Sequence, residues 1–109
     1  ANIKNSINAQ IRHSIRSRFR KVIRKKNCGS VSAIDFLGCS VDFFREYIES
    51  KFLPEMSWEN HGKWHYDHIL PLASFDLTDT EQVKRACHYT NLQPLWAGDN
   101  LRKGAKLPK

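Results

Sequence analysis

Trp64-His65-Tyr66-Asp67-His68-Ile69-Leu70-Pro71-Leu72 is the stretch on which the reading of this chain turns. It reads as a short strand from Trp64 to Ile69, and Pro71 stops it. A turn-rich lead, Trp58-Glu59-Asn60-His61-Gly62-Lys63, precedes it. Downstream, Asp79-Thr80-Glu81-Gln82 starts a helix that runs to about His88. Asn91-Leu92-Gln93-Pro94-Leu95 then makes a second extended piece. Gly98-Asp99 opens a short terminal helix through about Gly104, with Asp99 as its cap.

Upstream the regime is helical. Ser32 is placed to cap a short helix from Ala33 to Leu37 that stops at Gly38. Ser40 caps the next one, in which Val41, Phe44, Tyr47, Ile48 and Phe52 recur at helical spacing, with Asp42 in the first turn and Pro54 past the end. This helix supplies core.

The chain has 109 residues with 18 Lys plus Arg against 11 Asp plus Glu, a net charge of +7, and 40% hydrophobic content. That is one domain's worth of core, and no apolar run reaches the roughly 18 residues of a membrane span. Ala1 in place of Met suggests a segment cut from something longer, and no secretory leader is visible. The three cysteines, Cys28, Cys39 and Cys87, form neither a paired framework nor a C-x-x-C, so they read as reduced thiols in a cytoplasm-like compartment. A zinc site built from them and a His lacks tight ligand pairs, and structural zinc is not expected.

The charge is one-sided. Residues 1–27 hold nine basic side chains and no acidic one, while the remainder sums to −2. Five of the nine are Arg, whose planar fork matches phosphate oxygens. Ile3, Ile7, Ile11, Ile15 and Phe19 make this arm helical, and from Asn5 to Lys26 it would reach about 33 Å. A four-residue repeat drifts ~40° per step, so the stripe winds round the helix, and Arg18 falls within it. Arg12, Arg16, Arg18, Arg20, Lys21 and Arg24 are the candidate contacts to duplex phosphates, with a solvated basic face or a membrane-surface helix as alternatives.

The opening run, together with Tyr89-Thr90-Asn91-Leu92-Gln93-Pro94-Leu95-Trp96 and Asp99-Asn100-Leu101-Arg102-Lys103-Gly104, closely resembles HNH endonucleases, most strongly the small phage-type and homing enzymes. The likeness covers about Trp58 to Lys106, and more loosely Phe36-Leu37-Gly38-Cys39-Ser40. It implies an α+β fold, mostly helical in its N-terminal part and followed by a ββα-metal motif. It also implies Asp67 as carboxylate ligand of one divalent ion, His68 as general base, Asn91 as the residue that fixes the base and its loop, and Asn100 as last ligand. The final His of the family pattern is here an Asn, and two oxygen ligands suit Mg²⁺ or Mn²⁺ better than zinc. The expected domains are a basic helical arm over 1–27 and an HNH nuclease domain over 28–109, one compact unit with the arm packed on it.

The chemistry has its own logic. A neutral His can take a proton from attacking water near pH 7, and a cation can stabilise the leaving oxygen. The expected activity is one-metal hydrolysis of DNA, with 5′-phosphate and 3′-hydroxyl ends implied by the resemblance. Strand alternation raises a difficulty: it places His65, Asp67 and Ile69 on one face and His68 on the other, so the strand must end or twist near His68. His65, beside Asp67, and Arg102 and Lys103, near Asn100, are further DNA-binding candidates; no partner is evident for His13, His61 or His88. The alternatives are a non-catalytic nucleic-acid-binding module on the same scaffold, or the nuclease domain of a larger effector or toxin. A bacterial or phage-infected cytoplasm is the expected setting. The sequence leaves target sequence, nicking against double-strand cutting, and oligomeric state open.

Overall fold

The computed structural model of the chain describes residues 3–20 and 33–103, the side chains of Ala33 and Lys103 excepted. Its architecture is α+β, with four α-helices and a two-stranded antiparallel sheet among the described residues. The first helix, α1, spans Ile3–Arg18, with Arg16 and Arg18 in its last turn, where the helix dipole favours cations. The drift of its apolar stripe has a visible result. Ile3 is 76% exposed and Ile7 half-buried, while Ile11, Ile15 and Phe19 are fully enclosed. The helix expected to run to Lys26 can be followed to Arg18; Lys21, Arg24 and the Ser32 cap lie outside the described residues.

The short helix expected over Ala33–Leu37 is present as a 3₁₀ helix, and Gly38 follows it at φ +75°. The second helix, α2, spans Val41–Ser50, and the Ser40 hydroxyl accepts the Phe43 N–H at 3.0 Å. It buries Val41, Phe44 and Ile48, and also Arg45. That buried guanidinium donates to Asn8 Oδ1 and Asp42 Oδ1, both at 2.8 Å, and Asn8 Nδ2 donates to Asp42 at 2.7 Å. The triad bolts α1 to α2 and holds the Asp42 carboxyl below its ordinary value, through the bond from Asn8 first and that from Arg45 second. Phe43 stays about half exposed, in an aromatic group with Tyr47 and Tyr89.

Strand β1 is Trp64–His68, ending one residue before the expected strand does. It pairs antiparallel with β2, Leu92–Trp96, in the register Trp64↔Trp96, Tyr66↔Pro94 and His68↔Leu92. Pro94 is tolerated because a sheet of two strands has only edges. Between the strands, α3 spans Thr80–Cys87 and is capped by Asp79, which accepts from the Glu81 N–H at 3.1 Å. Asn91 closes the 3₁₀ turn Tyr89–Asn91 and so precedes β2 instead of belonging to it. The last helix, α4, spans Ala97–Lys103 and follows β2 directly. Its start corrects one expectation: Asp99 lies inside the first turn, ion-paired with Arg102, and does not cap the helix.

One apolar cluster joins these parts, taking Ile11, Ile15 and Phe19 from α1, Phe44 and Ile48 from α2, Trp64 and Tyr66 from β1, Val83 from α3 and Leu92 from β2. The arm is therefore core as well as charge. At Gly38 the chain passes close to His88: besides the positive φ, a Cβ there would meet the His88 ring at 2.6 Å. Gly38→Ala should cost about 2 kcal/mol and lower the thermal midpoint by several degrees. Adding His88→Ala should recover the steric part of that loss but not the backbone part, as a double-mutant cycle followed by circular dichroism can read.

Candidate active site

Asp67 and His68 are neighbours in sequence at the end of β1, and alternation alone would send them to opposite faces. The strand stops at His68, and the chain then turns through Pro71, Leu72 and Ala73. A cleft of about 220 Å³ opens beyond the strand end, and these three residues wall it together with Asp67, His68, Arg18 and Asn100. Both residues line this one space, although each is still paired within the sheet, Asp67 with Gln93 and His68 with Leu92. Asp67 and His68 are both buried, at 3% and 8% exposure. Across the sheet Gln93 stands opposite Asp67 and donates to its Oδ2 at 2.9 Å, orienting the carboxylate. The His68 ring packs against Phe19, with centroids 5.7 Å apart.

The turn after His68 is held by Asn91. Its Oδ1 accepts the Leu70 N–H at 2.8 Å, and its Nδ2 donates to the Leu70 carbonyl at 3.1 Å and to the Ala86 carbonyl at 2.9 Å. The Asn91 carbonyl also accepts the Ile69 N–H at 2.8 Å. A single buried residue thus clasps the segment beyond His68 to the end of α3. Asn91 is a positioning residue: its amide is committed to backbone.

Arg18 lines this cleft and also two adjoining recesses, and it is exposed. His65 and Asn100 face Arg18 in one of those recesses. The His65 imidazole is pushed below its ordinary value, by burial first and by the Arg18 charge second. Arg12, Arg16 and Arg20 are exposed; at ~100° per residue Arg12 and Arg16 point away from the side of α1 where Arg18 meets the cleft, and Arg20 lies beyond the helix end. Arg102 is exposed and paired with Asp99, and the Lys103 side chain lies outside the described residues. Cys39 and Cys87 are free thiols, both raised above their ordinary values by burial, Cys87 to about 12; Cys28 lies outside the described residues. Among the described residues, no three His, Cys, Asp or Glu side chains converge as a ligand group.

Sequence reasoning missed Gln93 as the partner of Asp67, for which strand register is the only signal. It also gave no role to His61, which stacks on Trp64 at 4.2 Å and lies 3.3 Å from the Gln10 amide through Nδ1. Burial, and then the neighbouring His65, push His61 down to about 4.

Two uncharacterized proteins of Acanthamoeba polyphaga mimivirus are similar to this chain. One is 38% identical over 102 residues, covering 93% of this chain and 44% of the relative. The other is 34% identical over 99 residues, covering 90% and 43%. The chain thus spans less than half the length of either. No family model matches the chain, and no solved structure matches it. Among the described residues no helix is long and apolar enough to cross a membrane.

Two outcomes follow from this geometry. Asn91→Ala should destabilise the domain by about 2–3 kcal/mol, because it leaves three backbone groups without their amide partner; denaturant titration checks it. His61 protonates near pH 6.5 in the unfolded chain but only near 4 when folded, so its contribution is complete above pH 6.5 and is lost as pH falls toward 4. The thermal midpoint should drop through that window, and drop less in His61→Gln.

Proposed function

We propose that this chain is a metal-dependent DNA endonuclease of the HNH type, on a ββα-metal motif formed by β1, β2 and α4. The observation that carries the reading is the convergence of Asp67, His68 and Asn100 on one cleft beside Arg18. These are the residues that the resemblance assigns to ligand, base and ligand.

Each group suits its assigned work. His68 is the general base: its imidazole takes the proton from the water that attacks phosphorus, and the buried ring is held in orientation by Phe19. Asn91 keeps the following turn, and with it His68, in place. Asp67 and Asn100 offer a carboxylate and an amide oxygen to the same cleft, a donor pair that fits Mg²⁺ or Mn²⁺. Such an ion, when bound, stabilises the charge that develops on the phosphate and the departing 3′ oxygen. Gln93 restrains the Asp67 carboxylate, so that it presents a fixed oxygen to the cleft. Arg18 neutralises part of the charge of the incoming phosphate. The products would carry 5′-phosphate and 3′-hydroxyl ends.

Plasmid cleavage with and without Mg²⁺ or Mn²⁺ tests the reading. Cleavage that depends on the ion, and that falls by about 10²–10⁴ in His68→Ala while DNA binding persists, is the expected result. DNA binding without cleavage under either ion would replace the enzyme by a binding module. Chelation should stop the reaction and barely move the thermal midpoint, since a hydrated two-ligand site contributes little to folding.

A further inference from the structure

A larger recess, of about 340 Å³, lies between α1 and the start of β1. His13, Ser17 and Arg18 from α1 face His61 and His65 across it, and Ser14 and the buried Tyr66 close it. A second recess, of about 270 Å³, shares Arg18 and His65 with this one and shares Arg18 and Asn100 with the cleft of Asp67 and His68. The three therefore run into one another past a single guanidinium.

The chemistry along this path is uneven. Among the described residues no carboxylate lines the first two recesses, and Asp67 lines the third. Three imidazoles, the Arg18 guanidinium and the Ser17 hydroxyl line the outer recess and can donate hydrogen bonds, while the Ser14 hydroxyl is already bonded to the Ile11 carbonyl and the Tyr66 phenol. Three imidazoles with no acidic neighbour in the recess would have made a metal site had their nitrogens converged, but no such ligand group is found among the described residues. What such a surface does favour is an anion, which accepts hydrogen bonds from these donors and meets the Arg18 charge.

We propose that this recess is a phosphate subsite, seating a phosphodiester of the DNA strand next to the one placed at Asp67 and His68, with Arg18 spanning the two. The identity of the cleaved bond rests on the endonuclease reading; the subsite itself does not. His13 and Ser17, which lie outside the cleft of Asp67 and His68, acquire a role as strand-positioning donors. The strand thus lies along the inner flank of α1, beside Arg18, and not along the row of Arg12, Arg16 and Arg20.

The test is binding of a fluorescently labelled DNA duplex by the full chain in EDTA, read by anisotropy across a salt series. Ser17 is exposed on a helix, so Ser17→Glu and Ser17→Lys should both fold. Ser17→Glu should weaken binding about tenfold, and Ser17→Lys should strengthen it and steepen the salt dependence by about 0.9. The same exchanges at Ser50, exposed at the far end of α2, should change affinity less than twofold. Equal affinities for Ser17→Glu and Ser17→Lys overturn the subsite, as do Ser50 variants that shift as much as Ser17 variants, because only the long-range field would then be acting. If charge at position 17 moves binding both ways while wild type cleaves nothing with Mg²⁺ or Mn²⁺, the subsite stands and the endonuclease reading falls. If wild type cleaves and the Ser17 variants bind alike, the reverse holds.

Discussion

The arrangement of this molecule depends on the hydrogen bonds of one buried amide, Asn91. A buried amide that lost its partners would cost more than the bonds are worth when made, so the residues it touches are fixed with respect to one another. Those residues are Leu70, just past the end of β1, and Ala86, near the end of α3. Through them Asn91 sets where the chain turns after His68, where α3 stops and where β2 begins. The cleft lined by Asp67 and His68 opens where β1 ends.

A second constraint comes from α1. A four-residue apolar repeat on a helix of 3.6 residues per turn cannot remain on one line, and this one reaches full burial only from Ile11 onward. Phe19 thereby arrives under the His68 ring, and Arg18, one position earlier, is brought to the mouth of the cleft. Packing and charge are therefore not separable here. The residue that completes the hydrophobic contact determines which arginine meets the site.

The electrostatic layout has a direction. Hydrogen-bond donors and the Arg18 cation line the recess between α1 and β1, and Asp67 and Asn100 line the cleft that adjoins it past Arg18. The Asn8–Asp42–Arg45 triad serves a different purpose: it pairs one buried cation with one carboxylate and keeps α1 seated on α2.

Much of the local structure was legible in the sequence because local chemistry decides it. Ser40 and Asp79 cap helices, Gly38 takes a positive φ, and the periods of α2, α3 and β1 follow from which residues are apolar. Boundaries slipped where a hydrogen bond from elsewhere prevailed: Ile69 gives its N–H to Asn91 and leaves the strand, and Asp99 is drawn into α4 beside Arg102. Asp67, His68, Asn91 and Asn100 could be named from their pattern. That three of them share one cleft, that Gln93 orients the carboxylate, and that Arg18 alone of the described arginines lines it, only the tertiary structure decided. The physical reason is that strand register, helix rotation and the end of a sheet are set by contacts between segments far apart in sequence, and no local preference of either segment specifies them.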